Sequence, residues 1–303
     1  MKTRDRLGRR LFEKRSKSPA LTSKLTDREH LWLQFLNLHG MASSLYLHKY
    51  TADSHRCMQT SNRMLRKLFD IGLIEKPEQQ RAAVDARGNH HVYALSQSGV
   101  TYLKDFDLWV DALKPTGPWV HQFMTACTTA SIHILCNRSG LKFIPGHQIT
   151  KTLAVDVPFR WHGRFCKNKL IPDSLFAIRY PSGFIAYVLE ADRSTETIDP
   201  ASQLRKSVRR NIKQYAEFIG KKKYQEAYGL NCPLVVINIC VSKTHIKRSL
   251  EIVGEEIGAC SYLAYGTAPK FRTPFKVPKD LLHNLVDEGM VRNRYEPFFL
   301  SKP

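Results

Sequence analysis

Three carboxylates stand at the ends of two neighbouring apolar segments. Asp173 lies in the first segment, residues 170–178, and Glu190 and Asp192 lie near the end of the second, residues 184–193. A Pro-Ser-Gly turn separates the segments, which predicts a β-hairpin that brings Asp173 to Glu190. Asp192 shares a face with Glu190 because side chains alternate along a strand. Carboxylates crowded beside apolar strands stay ionised when a cation neutralises them, so the pattern predicts a site for Mg²⁺ or Mn²⁺.

The net charge indicates a polyanionic partner. The 303 residues carry a formal charge of +20, and nucleic acid is the first candidate for such a surplus, with an anionic membrane surface second. The sequence has no run of eighteen apolar residues, and its N-terminus is polar and basic. We therefore do not expect membrane insertion or secretion, and we expect a cytoplasmic protein.

The cysteines do not form a recognisable ligand pattern. Seven are scattered along the chain without a Cys-x-x-Cys pair, at positions 57, 127, 136, 166, 232, 240 and 260. We interpret them as reduced core residues, not as zinc ligands or a disulfide framework.

The first part of the chain predicts a basic arm followed by a small helical domain. Residues 1–24 carry nine Lys and Arg against two acids, which predicts a disordered arm. Residues 25–112 predict helices at 26–39, 42–50 and 54–69, strands at 73–75 and 91–95 around a basic loop, and a helix from Ser96. The outward face of the third helix carries the candidate DNA-binding side chains, which are Arg56, Gln59, Asn62, Arg63, Arg66 and Lys67.

The motifs LxxLFDIGLIEK and HxVYALSQSGVTYL resemble the recognition helix, wing and closing helix of winged helix-turn-helix domains. This resemblance implies that the third helix reads the major groove of double-stranded DNA, with backbone contacts from Arg81, Arg87 and His90 in the wing. A helical domain with a hairpin that binds protein is the alternative. RNA is a weaker candidate because the major groove of an A-form duplex is too narrow for a helix.

A linker at residues 114–118 separates a second domain, predicted to span residues 118–268, from the first. Its predicted elements are a long helix at 119–138, a strand at 141–144, the carboxylate hairpin, a helix from Asp199-Pro200, a buried strand at 234–241, a helix at 244–258 and a strand at 262–265. His121 and His133 on the long helix are assigned packing roles. Residues 269–303 are predicted to be a C-terminal extension.

This order, with Pro172-Asp173 on one strand and Glu190-x-Asp192 on the next, resembles the restriction-endonuclease-like PD-(D/E)xK core. The stretch PDSLFAIRYPSGFIAYVLEADRSTETI, followed by a basic helix containing Tyr215, resembles replication-relaxation and MobC-type plasmid mobilisation proteins over residues 26–265. The expected fold class is therefore α+β or α/β, with an N-terminal winged helix-turn-helix followed by a PD-(D/E)xK α/β domain.

The resemblance implies a metal-dependent nuclease site. Asp173 and Glu190 would hold the metal, and Asp192 would be a third ligand or would pair with Arg193 or Arg205. The lysine of the Glu-x-Lys motif is replaced by Asp192, so we expect Lys213 to complete the catalytic set, ahead of Lys206 and Lys169. Residues 211–215 resemble the Gln-x-x-x-Tyr element of some of these nucleases, with Asn211 in place of Gln.

These expectations define one function and one alternative. The first is a sequence-specific DNA-binding protein of a mobile element that nicks an origin-like site as a relaxase, mobilisation or replication-relaxation protein, with other mobilisation or replication proteins as further partners. The basic helix face, including Arg205 and Arg209, would contact the DNA backbone. The alternative is a non-catalytic DNA-binding regulator with a degenerate nuclease core. Tyr46, Tyr50 and Tyr215 are candidates for a covalent DNA link, although a core role is favoured for each.

Overall fold

The computed structural model describes residue 12 and residues 24–54, 56–84, 90–161, 164–166, 168–193 and 207–302. The predicted arm, except Phe12 and Lys24, lies outside the described residues. So do Arg87, Asp199, Pro200, Arg205 and Lys206. The chain divides into two units, Met1–Val110 and Asp111–Pro303. Among the described residues, no helix combines the length and apolar character needed to cross a membrane.

The described residues of the first unit form four α-helices and three short strands. Their bounds are α1 (Asp27–His39), β1 (Met41–Ser43), α2 (Ser44–Tyr50), α3 (Met58–Asp70), β2 (Ile74–Glu75), β3 (Val92–Leu95) and α4 (Gln97–Asp105). The strands form one antiparallel sheet in the order β1-β3-β2.

Local sequence signals account for the start and end of α1. The Thr26 side chain accepts a hydrogen bond from the Glu29 backbone, and the Glu29 side chain accepts one from the Thr26 backbone, which forms a capping box. Gly40 ends the helix with φ 81°, a conformation that glycine adopts at little cost. Helix α2 begins at Ser44 instead of the predicted position 42 because Met41–Ser43 pair with β3.

The second unit contains four helices and eleven strands among its described residues. Their bounds are α5 (Trp119–Arg138), β4 (Lys142–Pro145), β5 (Val155–Asp156), β6 (Phe159–Trp161), β7 (Arg164–Cys166), β8 (Lys169–Leu170), β9 (Ser174–Tyr180), β10 (Gly183–Asp192), α6 (Val208–Gly220), α7 (Lys223–Tyr228), β11 (Leu234–Cys240), α8 (Lys243–Glu256), β12 (Cys260–Thr267), β13 (Met290–Asn293) and β14 (Tyr295–Phe298).

Seven strands form the main sheet, in the order β14-β13-β12-β11-β10-β9-β4. In the centre of the sheet, β10, β11 and β12 run parallel to one another. The flanking pairs of strands are antiparallel. The predicted α+β class is confirmed at this level. The segment 269–303, predicted as an extension, contributes β13 and β14 to the same sheet.

Side chains alternate between the two faces of the sheet along β10, and both faces are buried there. Val188 packs with Val208 and Ile212 of α6 on one face. On the other face Tyr187 stacks on Phe176 with a ring-centroid separation of 5.4 Å. Glu190 and Asp192 share the parity of Val188, so both carboxylates belong to the face covered by α6 and α8.

The hairpin forms, but its first strand is shorter than predicted. Leu170 belongs to β8, which pairs with β5, and β9 begins only at Ser174. Asp173 therefore lies in the connection that leads from β8 into β9, immediately before the first residue of the strand.

Candidate functional site

Asp173 is fixed to β10 by two backbone contacts on either side of Glu190. Its backbone N–H donates to the Leu189 carbonyl at 3.1 Å, and its Oδ2 accepts a hydrogen bond from the Ala191 N–H at 2.7 Å. Antiparallel pairing of Leu189 with Ser174 sets this register. The result places a 7% exposed Asp173 beside a 5% exposed Glu190.

Tyr215 contacts one of these two carboxylates, that of Glu190. Its hydroxyl donates to Glu190 Oε1, and its ring is buried under the sheet face. Burial raises the pKa of Tyr215 well above its ordinary value, and the charges of Glu190 and, more weakly, Asp173 raise it further. The phenol therefore stays neutral, and both carboxylates lie within its electrostatic reach.

His121 contacts the other oxygen of Asp173. It lies in the first turn of α5, and its Nε2 is 2.9 Å from Asp173 Oδ1. From the sequence alone, His121 is predicted to have only a packing role. Its position instead makes it an orienting contact for the carboxylate, which is held from Oδ1 by His121 and from Oδ2 by Ala191.

A basic cleft opens beside Asp173. Its volume is about 580 Å³, and it is lined by Asp173, His121 and three cationic side chains, Lys169, Arg193 and Arg210. Arg210 Nε donates to Gln214 at 3.2 Å, and Arg193 donates to the Phe271 carbonyl and to Thr273. The cleft therefore places the Asp173 carboxylate beside three cationic side chains, whereas Glu190 and Tyr215 line a separate small cavity.

Asp192 is directed to different partners. It contacts His245 of α8 through Oδ2, and its register neighbour on β11 is Cys240. The structure therefore groups Asp192 with a histidine and a thiol, whereas Glu190 contacts Tyr215 and Asp173 contacts His121. The predicted ion pair with Arg205 lies outside the described residues, and Arg193 has the contacts given above.

The structure places Lys213 in an ion pair between helices. Its ammonium contacts Glu256 of α8, and Arg209 bridges to Glu256 and to Glu255 in the same way. Burial acts to raise the pKa of Glu256, but the hydrogen bonds from Lys213 and Arg209 outweigh it and hold that pKa below its ordinary value. Two of the predicted DNA or catalytic cations thus serve the contact between α6 and α8.

Lys169 is the lysine that the structure brings to the cleft with Asp173. From the sequence, Lys213 is predicted ahead of Lys169, because the helix that carries Lys213 is expected to pack beside the hairpin. The sequence feature that points to Lys169 is its position four residues before Asp173, in the segment that leads into β9.

The candidate DNA-binding side chains of the first unit separate into two groups. Four are exposed, namely Arg56, Gln59, Asn62 and Arg63. The other two are engaged within the unit, since Arg66 pairs with Asp70 at 2.9 Å and Lys67 pairs with the buried Glu29 at 3.0 Å.

The wing residues are also partly used internally. Arg81 is buried and pairs with Glu78 at 3.3 Å. The neighbouring Gln80 side chain donates a hydrogen bond to the Val92 carbonyl and accepts one from the Val92 N–H. His90 lies 3.3 Å from the Ser44 hydroxyl.

The candidate tyrosine nucleophiles are packed residues. Tyr46 and Tyr215 are 0% and 1% exposed, and the Tyr50 ring packs at a tilt against Phe35, with 4.3 Å between the ring centroids. Burial raises the pKa of Tyr50. A tyrosine that attacks a phosphodiester needs an accessible hydroxyl that can lose its proton, so this geometry favours the core role for each.

Comparison with known proteins identifies the family of this chain. The family model described as replication-relaxation matches residues 33–234. Comparisons with curated proteins and with solved structures gave no match. The matched span is more than half of the chain and contains α3, the Asp173–Glu190 pair and Tyr215. The chain therefore belongs to the replication-relaxation family.

Proposed function

We propose that this chain binds an origin-like site on double-stranded DNA and nicks one strand with the help of Mg²⁺ or Mn²⁺. Family membership ties the chain to the replication or mobilisation of a mobile element. The observation that carries the enzymatic part is the buried pair Asp173 and Glu190, held at one end of the hairpin by the backbone contacts of Asp173 with Leu189 and Ala191. Asp173 also lines a cleft with three cationic side chains.

The first unit would be the winged-helix DNA reader. The element order α1-β1-α2-α3-β2-β3, with one small antiparallel sheet, supports this assignment. Gln59, Asn62 and Arg63 are exposed on α3. Amide and guanidinium groups are the side chains that form paired hydrogen bonds with base edges in the major groove.

The second unit would be the PD-(D/E)xK core, and its donor set fits a hard divalent cation. Asp173 and Glu190 supply only oxygen ligands, which Mg²⁺ and Mn²⁺ prefer. Each carboxylate oxygen keeps a lone pair in addition to the hydrogen bond it accepts. A metal bound there polarises the scissile phosphate and lowers the pKa of an attacking water.

The surrounding residues would orient this centre and hold the DNA. His121 and the Ala191 N–H fix the Asp173 carboxylate, and the Tyr215 hydroxyl fixes Glu190. Lys169 would take the role predicted for Lys213, because Lys213 is paired with Glu256. Lys169 would stabilise charge on the phosphate, while Arg193 and Arg210 would bind neighbouring phosphates along the cleft.

A non-catalytic regulator is the second candidate, and one observation favours it. The lysine position of the Glu-x-Lys motif is occupied by Asp192, which contacts His245. In this case the second unit would bind DNA in its basic cleft without cutting it, and metal would not affect binding.

Conversion of supercoiled plasmid carrying the element's own origin to open circles tests the proposal. The wild-type protein should nick with Mn²⁺ or Mg²⁺ and not with chelator. Glu190→Gln should abolish nicking while DNA binding persists, because Gln keeps the shape and an acceptor for Tyr215. Glu217→Gln is the matched control, since Glu217 is on α6 and pairs with Lys221 instead.

Two lysine variants separate the competing assignments. Lys169→Ala should lower the nicking rate strongly, whereas Lys213→Ala should leave most of it. Binding without nicking in any metal would overturn the enzymatic proposal and favour the regulator. Nicking that survives Glu190→Gln would show that the carboxylate centre is not the active site.

A further inference from the structure

A second group of potential metal ligands lies at the ends of β10 and β11, next to Glu190 along β10. It consists of Asp192, Cys240 and His245, and one donor atom from each lies within 4.8 Å of the others. Within the described part of the chain, no other set of three or more His, Cys, Asp or Glu side chains meets this distance.

The fold positions all three side chains. Asp192 and Cys240 are register partners on parallel strands, so their side chains emerge side by side on one face. His245 lies in the first turn of α8, where the Ser242 side chain accepts a hydrogen bond from the His245 N–H at 3.2 Å and fixes the helix start. Cys240 and His245 are buried.

The donor set is unlike that of the proposed nuclease centre. A thiol, an imidazole and a carboxylate are the ligands that zinc accepts, whereas Mg²⁺ prefers oxygen alone. Zinc sites with three protein ligands keep a fourth position for water. A cavity of about 30 Å³ borders both Asp192 and Cys240, and a cavity of about 10–15 Å³ is already enough for one water.

The observed spacing is close to that of a bound site. With metal–ligand bonds of roughly 2.0–2.3 Å, the donors around a tetrahedral zinc ion lie about 3.4–3.8 Å apart. The donor atoms here lie within 4.8 Å, so small side-chain rotations would close the set. His245 Nε2 already faces Asp192 Oδ2.

We propose that Asp192, Cys240 and His245 form a binding site for a zinc-like dication, with water as the fourth ligand. Binding exchanges the Cys240 thiol proton, released to solvent, for a metal–sulfur bond. The site has different ligands from the proposed nuclease centre, although Glu190 and Tyr215 line the same small cavity as Asp192 and Cys240. It assigns Asp192 to zinc instead of to the Asp173–Glu190 metal. It ties β10, β11 and α8 together, so its effect is stability of the second unit.

Cobalt substitution tests this site without using nicking activity. The full-length protein, stripped with chelator, is titrated with Co²⁺ and then with Zn²⁺, and the absorption spectrum is recorded. We expect one Co²⁺ per chain that excess Mg²⁺ does not displace, a thiolate-to-cobalt charge-transfer band, the intense visible bands of a four-coordinate ion, and displacement of this Co²⁺ by Zn²⁺. Zn²⁺ should also raise the melting temperature, because a ligand that binds only the folded state stabilises it.

Matched cysteine variants assign the band. Cys240→Ser should remove the charge-transfer band and weaken Zn²⁺ binding by more than about 100-fold, above the 10–100-fold cost of losing a hydrogen-bond partner of a ligand. Cys260→Ser is the control, since Cys260 is as buried as Cys240, at 1% exposure, and is not part of the group. The double variant Asp173→Asn/Glu190→Gln should keep the cobalt spectrum, which separates this site from the nuclease proposal.

Two results would overturn the site. One is a wild-type protein that shows no charge-transfer band and no melting shift with Co²⁺ or Zn²⁺, a measurement that needs no variant to fold. The other is a band that persists in Cys240→Ser and disappears in Cys260→Ser.

Discussion

Replacing Tyr215 with Phe isolates the contact that holds Glu190. The change removes one hydroxyl from a fully buried ring and leaves a 5% exposed carboxylate without that donor. Hydrogen bonds to charged groups contribute about 1.5–3 kcal/mol, and a buried group that loses its partner costs a similar amount. We therefore expect a loss of about 2 kcal/mol, which corresponds to a melting temperature lower by roughly 4–8 °C in a domain of this size.

Tyr228→Phe is the matched control for this experiment. Tyr228 is also buried, but its hydroxyl donates at 2.8 Å to the Leu153 carbonyl, a neutral acceptor. Its removal should cost about 1 kcal/mol. Both variants are compared with wild type by urea unfolding and by thermal melting. Equal costs for the two variants, or a Tyr215→Phe protein as stable as wild type, would refute the view that Tyr215 serves an ionised Glu190.

Three further predictions concern single side chains. Arg63→Ala should weaken binding to the cognate duplex by about 1–3 kcal/mol and relax specificity at one base pair, measured by fluorescence anisotropy; an equal loss on cognate and unrelated duplexes would contradict a base contact. Burial lowers the pKa of His133 from 6.5 to about 4, so the unfolded chain binds more protons between these values and stability falls as pH drops through them. The loss from pH 7 to pH 5 should be about 2 kcal/mol at most, and urea unfolding of His133→Phe should show a flatter pH profile. Lys67→Ala should destabilise the first unit by about 1–3 kcal/mol, because Glu29 is buried and Lys67 only partly so; denaturant unfolding with the exposed Arg56→Ala as control should separate the two.

The sequence predicted the elements whose signals are local. The long helix α5 begins and ends where apolar continuity predicted it, and the capping residues of α1 fixed its start. The β9–β10 hairpin followed from alternation and a Pro-Ser-Gly turn. Each of these depends on residues within a few positions of one another, so a single sequence contains the needed information.

The site residues that the sequence did not predict depend on contacts between distant segments. His121 reaches Asp173 across 52 positions, and nothing near His121 in the sequence marks it as more than a helical residue. Lys213 was expected at the carboxylates because its helix follows the hairpin. Which side of a helix faces the site depends on the neighbouring helix, and here α8 presents Glu256 to Lys213.

The separation of Glu190 from Asp192 has the same physical origin. Two residues apart on one strand face, their Cα atoms are about 6.6 Å apart, so their side chains can converge on one ion or diverge to two. Alternation along β10 makes them neighbours but does not choose between these outcomes. The covering helices do, because α6 supplies Tyr215 to Glu190 while β11 and α8 supply Cys240 and His245 to Asp192. Glu190 and Asp192 therefore have different partners, because different elements pack over them. For this reason, the aspartate at the usual lysine position need not belong to the nuclease centre.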